Sequence, residues 1–215
     1  MAARRTPFGA LIIAALLFLL SGCYTTPEAG VVEVPDIPLP GSYQSMLYGY
    51  KLSYPEGWSV IHSGSAKDIL DEAAAGIEGK KKNDLIKAAK EQGFVFLVDD
   101  SASDYGVTLA ITGGKSKSSP GKYLSKEDQV RKAYADSFPG ISYTEPFRCI
   151  DLGRGGDTIL VAFTYDLDGQ SQAIRQYAVF AGGKLYSLTL TCPGAEAETY
   201  ADIGDAIVAS FAVTN

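Results

Sequence analysis

Thr158-Ile159-Leu160-Val161-Ala162-Phe163-Thr164-Tyr165-Asp166 is the stretch that decides the fold. One side of it carries Ile159, Val161, Phe163 and Tyr165. The other carries Leu160 and Ala162 between threonines. Alternation of this kind predicts a strand, and apolar residues on both sides mean that something covers each face of its sheet. Three more strands are expected around it, at 146–152, 171–181 and 184–192. The connections are Gly153-Arg154-Gly155-Gly156, Leu167-Asp168-Gly169 and Gly182-Gly183. Such short glycine-bearing turns make antiparallel hairpins. The last third of the chain is therefore a four-stranded meander.

Working outward, 195–211 reads as a helix that lays Tyr200, Ile203, Ile207 and Phe211 on one face of the sheet. Upstream, Ser125-Lys126-Glu127-Asp128 has the form of a helix start. Val130, Ala133, Tyr134 and Phe138 follow on one side before Pro139-Gly140 stops the helix. Residues 113–122 read as a Gly/Ser/Lys/Pro loop. Strands are expected at 94–98 and 107–112, joined by a polar loop over 99–105. Two helical segments, 68–76 and 84–92, form an insertion at about 65–92. Near the start of the folded part, 47–54 reads as a strand ended by Pro55-Glu56-Gly57, and 58–62 as a second extended piece. The order of elements predicts an α+β fold, an αβα sandwich whose largely antiparallel sheet is covered by helices.

The N-terminus carries an address. Arg4 and Arg5 precede a 13-residue apolar run over 8–20, too short to cross a bilayer comfortably, and Leu20-Ser21-Gly22-Cys23 follows. This resembles a bacterial lipobox, in which the cysteine takes a diacylglyceryl group and becomes the first residue of the mature chain. The rival readings are a plain signal peptide, which usually offers an A-x-A-like site, or an uncleaved anchor. The expected division is therefore 1–22 lipoprotein signal peptide, 23–45 lipidated Cys23 and an extended tether with four prolines, and 46–215 the folded domain. Acyl chains bury about 0.8 kcal/mol per CH2, and two chains anchor stably where one is marginal. The expected location is extracytoplasmic, held to a bacterial membrane through Cys23.

Removing 1–22 leaves 193 residues, with 17 basic against 25 acidic side chains and a formal charge of −8. An acidic domain is a poor binder of nucleic acid or of an anionic membrane by electrostatics alone. The lipid, not the net charge, is then what holds it at a membrane. Cys149 and Cys192 remain as a pair. On the first and fourth strands of a meander they lie three spacings apart, on the order of 14 Å, against a disulfide limit of about 7 Å. Two separate thiols are favoured over a bridge.

No constellation of catalytic residues stands out. His62 is the sole histidine, and no G-x-S-x-G elbow accompanies it. No metal site and no cofactor are expected. Asp166-Leu167-Asp168-Gly169 begins like a calcium loop but lacks the later ligands, so a hairpin turn explains it. Gly113-Gly114-Lys115-Ser116 lacks the upstream glycine of a phosphate loop. Lys80-Lys81-Lys82 reads as a solvated turn. Asp99, Asp100 and Asp104 read as a solvated loop or a weak site for a hard cation. Among 13 tyrosines and the single tryptophan, Tyr48, Trp58 and Tyr105 are the expected partner-binding aromatics, with Tyr24 and Tyr43 as further candidates.

Tyr50-Lys51-Leu52-Ser53-Tyr54-Pro55-Glu56-Gly57-Trp58 resembles the first strand and turn of the PsbP-like family, whose fold is shared with the Ran-binding Mog proteins. The run from Arg175 to Phe180 and on through Gly183 to Thr191 resembles that family's last hairpin. Ile207-Val208-Ala209-Ser210-Phe211 resembles its closing helix. The likeness covers roughly 46–213. It implies a sandwich without a shared active site, in a family of extrinsic subunits, assembly helpers and binding adaptors. The lipobox and the insertion at about 65–92 depart from the plant-type members. The expectation is a non-enzymatic envelope lipoprotein that binds a protein partner. Its first rival is a small-molecule or lipid-binding protein with a pocket between the insertion and the sheet. Its second is a hydrolase built on clustered carboxylates.

Overall fold

Residues 28–62, 95–99, 107–138, 140–153, 158–167 and 169–214 are described by the structure, a computed structural model. In chain order the strands are β1 (Gly30–Val31), β2 (Gly41–Ser45), β3 (Tyr50–Tyr54), β4 (Trp58–His62), β5 (Val95–Asp99) and β6 (Val107–Lys115). Helices α1 (Pro120–Leu124) and α2 (Glu127–Ser137) follow. Then come β7 (Ser142–Asp151), β8 (Thr158–Leu167), β9 (Gln170–Ala181) and β10 (Lys184–Pro193). A 3-10 turn leads into α3 (Ala197–Ser210), and β11 (Ala212–Val213) ends the chain's regular structure.

The meander holds as expected. The large sheet has the order β1-β7-β8-β9-β10-β6-β5-β4, and every described pairing in it is antiparallel except β1 with β7. A second sheet, β11-β3-β2, closes the α3 side. The alternation in β8 divides the core as the sequence implies. Ile159, Val161, Phe163 and Tyr165 pack with Tyr123, Val130, Tyr134 and Phe138 of α1, α2 and the α2 C-cap. Leu160 packs on the other face with Tyr177, Leu188, Leu190, Ile207 and Phe211. The fold is therefore α+β, with a large, mostly antiparallel sheet and helices on both faces. Cys149 and Cys192, on β7 and β10, are buried and not joined in a disulfide.

Four local readings change. The expected tether over 23–45 is, from Glu28 onward, part of the folded body. Gly30 and Val31 pair with Ile150 and Asp151, Val32 N–H donates to Asp151 O at 3.0 Å, and Val32, Val34 and Leu39 pack on the core. The prolines keep this segment out of a longer ladder but leave its aliphatic side chains free to pack. The expected strand 47–54 begins only at Tyr50, and residues 46–49 are the turn of the β2–β3 hairpin. The expected loop 113–122 splits between the end of β6 and α1. Gly113 permits the first, since a Cβ there would lie 2.6 Å from the Tyr186 ring. Ser119 and Pro120 start the second, with the Ser119 hydroxyl accepting from Lys122 N–H at 3.4 Å. Finally, Ser125 does not cap α2. Its hydroxyl donates to Lys122 O at 2.8 Å and so closes α1. The insertion at about 65–92 lies outside the described residues.

Candidate functional site

The most densely connected polar site lies where α3 crosses the meander. Gly204 allows the helix to come close. A Cβ there would sit 2.7 Å from Tyr177 Oη and 3.0 Å from Leu190 Cδ2. The next residue, Asp205, is then held against the sheet at 5% exposure. The Arg175 guanidinium meets it as a fork, Nε to Oδ1 at 3.1 Å and Nη2 to Oδ2 at 3.0 Å. Tyr177 Oη donates to Asp205 Oδ1 at 2.5 Å and accepts from Arg175 Nε at 2.7 Å.

The third arm of Arg175, Nη1, reaches Glu145 Oε1, and the other Glu145 oxygen accepts from Arg148 Nη2 at 2.7 Å. Glu145 sits where the β7–β8 register shifts, beside Pro146. A proline cannot donate to the ladder, and the resulting irregularity re-aims the neighbouring side chain. Two guanidiniums thus face two carboxylates. Burial alone would raise the Glu145 carboxyl, but the hydrogen bonds and charges of Arg148 and Arg175 outweigh it and hold the group below its ordinary value. Burial lowers Arg175, but Tyr177, Asp205 and Glu145 more than restore it and keep it cationic. Burial pushes the Tyr177 phenol far up, against the lowering effect of Arg175.

A cleft of about 500 Å³ opens beside this network, with Glu145 and Arg175 on one side and Thr164, Leu190, Cys192 and Glu198 among the other walls. Burial, with Glu196 nearby, pushes the Cys192 thiol up to about 12, so it is protonated at neutral pH and a weak nucleophile. On the opposite face, Tyr134 Oη donates to Gln176 Oε1, and Gln176 Nε2 donates to Ser187 Oγ at 2.8 Å and Thr189 Oγ1 at 3.0 Å. Among the described residues no group of three or more His, Cys, Asp or Glu side chains could hold a metal ion.

The expected partner aromatics do not form one patch. Trp58 is 7% exposed and belongs to the core, so the expectation that it offers surface to a partner is corrected. It pairs in register with Asp99, at the Thr191 end of β10. Tyr48 lies at the other end of the sheet, half-buried in the β2–β3 turn, where its carbonyl accepts from Lys184 Nζ and Tyr186 Oη, each at 3.0 Å. Tyr43 packs partly buried on the core. Cys23, Tyr24 and Tyr105 lie outside the described residues, as do Asp100, Asp104 and Lys80-Lys81-Lys82. Asp99 is not a loop ligand. It ends β5, is 8% exposed, and accepts from Tyr200 Oη at 2.8 Å. His62 is the last residue of β4.

The Arg175 network escaped the sequence reading. Its signal was there to find: an arginine inside the apolar strand Ala173-Ile174-Arg175-Gln176-Tyr177, and an aspartate among Ile203, Ala206 and Ile207. Charges within apolar runs are retained in cores only when paired.

No protein-family model matches the chain, and no curated protein matches it by sequence. Solved structures do. LpqN of Mycobacterium tuberculosis, involved in cell envelope biogenesis, is 15% identical with a TM-score of 0.50, over 77% of this chain and 83% of its own. Mog1p, the Ran-binding protein of Saccharomyces cerevisiae, is 10% identical with a TM-score of 0.45, over 81% of this chain and 95% of its own. The cyanobacterial PsbP of Synechocystis sp. PCC 6803 is 13% identical with a TM-score of 0.41, over 85% and 98%. PsbP and Mog proteins, the group that the sequence resembles, thus stand among the structural neighbours, and what the chain shares with LpqN is the fold.

Proposed function

We propose that this chain is a non-enzymatic envelope lipoprotein, anchored through Cys23, whose folded domain binds a protein partner or helps to assemble an envelope complex. The observation that carries the reading is Leu20-Ser21-Gly22-Cys23 behind a short apolar run and two arginines. The fold shared with LpqN, an envelope-biogenesis protein, supports the location. The two cations and two carboxylates of the Arg175 network are matched against each other within the chain, so the surface that meets a partner is sought elsewhere on the domain.

In-cell crosslinking of the full chain, followed by purification and mass spectrometry, tests the reading. One protein recovered in near-stoichiometric amount is the expected result. A parallel fractionation of Cys23→Ser tests the anchor. The variant should leave the lipoprotein fraction, and if it sediments with membranes as the wild type does, the lipobox reading fails. The cleft of about 500 Å³ favours a second reading, a small-molecule or lipid carrier. A co-purifying lipid or metabolite with no protein partner would put that reading first.

A further inference from the structure

Three segments meet at one end of the large sheet. The β9–β10 turn at Gly182 and Gly183 is tied to the loop after β6 by Ser116 N–H donating to Gly183 O at 3.2 Å. The β2–β3 turn is tied to β10 by Lys184 Nζ and Tyr186 Oη, both donating to Tyr48 O at 3.0 Å. Thr214 N–H donates to Gly49 O at 2.9 Å, and Gly49 N–H to Ser45 O at 2.8 Å. Gly49 takes a φ of +67°, which suits glycine and fixes the sharp return of the chain.

Two properties of this end stand out against the rest of the molecule. First, the clamped turn holds two aliphatic side chains out of the core. Met46 is 82% exposed and Leu47 is 81% exposed; among the described residues only Val31 is a comparably exposed large hydrophobic. Large aliphatics held on a rigid protrusion mark an interaction surface. Second, the segments around the turn, 41–54, 107–117, 178–193 and 211–214, contain Lys51, Lys115, Lys117 and Lys184 and no Asp or Glu, in a chain with 25 acids against 19 bases; Asp151 closes β7 at the same end of the sheet, three strands away from β10. Lys184 and Lys115 are direct cross-strand partners. Like charges placed so are mildly destabilising. Lys184 is drawn onto the Tyr48 carbonyl, whereas Lys51, Lys115 and Lys117 are exposed.

We propose that this end of the domain docks on an anionic lipid surface, with Met46 and Leu47 entering the headgroup–acyl boundary and Lys51, Lys115 and Lys117 meeting lipid phosphates. Charge complementarity decides the occupant. A local field of lysines on an otherwise acidic domain selects a surface of dispersed negative charge. A tip of two exposed aliphatic side chains flanked by lysines suits a fluid anionic layer. The domain's negative remainder would turn the opposite end away from the same surface, giving one orientation.

The test uses the full chain with Cys23→Ser, which removes the proposed lipid anchor, so that failure of one reading leaves the other standing. Leu47→Cys carries an environment-sensitive fluorophore, and the buried Cys149 and Cys192 do not compete for it. The labelled protein is mixed with phosphatidylcholine vesicles, with or without phosphatidylglycerol. The expected result is a blue shift, with quenching by brominated acyl chains, only when phosphatidylglycerol is present. High salt reverses it, and Lys51→Glu, Lys115→Glu and Lys117→Glu together abolish it. The same fluorophore on Asp136→Cys of α2, an exposed site, should not shift. A label at residue 47 that stays water-exposed on phosphatidylglycerol vesicles overturns the proposal. So does an equal shift on both vesicle types. A shift that appears only when an envelope protein is added overturns it in favour of a protein surface.

Discussion

The Arg175 network and the Met46–Leu47 turn sit at different places on one sheet and treat charge in opposite ways. Around Arg175 every cation has its carboxylate within the chain, and the most buried pair is forked and backed by a tyrosine. Around the turn, lysines gather with no carboxylate in the same segments, and aliphatic side chains point outward. A closed set of charges is a device for holding a helix on a sheet. An open set is complementary to something outside the chain. Partnering therefore separates structural from external roles more sharply than burial or residue type does.

The comparison predicts unequal losses. Asp205→Ala takes the forked carboxylate from the buried Arg175 guanidinium and leaves it only Glu145 and the Tyr177 hydroxyl, which should cost about 3 kcal/mol in urea unfolding. A loss below about 1 kcal/mol would mean that water reaches the pair and that the set is not closed. Gly204→Ala should cost about 1–3 kcal/mol, because the added methyl meets Tyr177 Oη and Leu190 and α3 must move off the sheet. Glu145 sharpens the pH side. Its carboxyl is held below its ordinary value, so its contribution to stability is whole above about pH 4.5 and is lost as pH falls through the lower, folded-state value. Glu145→Gln should lower stability at neutral pH and make the decline in acid shallower, measured by unfolding at a series of pH values. Leu47→Ser, at the open end, should change stability by no more than about 0.5 kcal/mol. A larger loss would show that the turn is packed rather than offered.

How much was legible follows the same line. The period in Thr158–Asp166 and the glycine turns around it specify the meander, because local chemistry alone selects antiparallel hairpins. The helix over Tyr200, Ile203 and Ile207 is equally local. Val32, Val34 and Leu39 were harder, since three aliphatic residues among prolines pack only if a core already exists beside them. The partnering of Arg175 with Glu145 and Asp205 depends on residues 30 apart in both directions, and no spacing rule announces it. Trp58 misled because a lone tryptophan beside a turn can lie on either side of a surface. Its register opposite Asp99 decides, and that register is a property of the whole sheet.

The pairing of Gly30 and Val31 with β7 sets the length of a leash. Four residues separate Cys23 from Glu28, the first described residue. A fully extended chain gains at most about 3.6 Å per residue, so the body begins within about 18 Å of the proposed point of acylation. β1 runs parallel to β7, and β7 and β9 run the same way because each is antiparallel to β8. The chain therefore enters heading toward the end where β9 turns at Gly182. With Cys23 acylated as proposed, a domain on so short a leash would not sweep a wide hemisphere above a membrane. It would sit near the headgroups, and its tilt would be decided by whichever face rests on them.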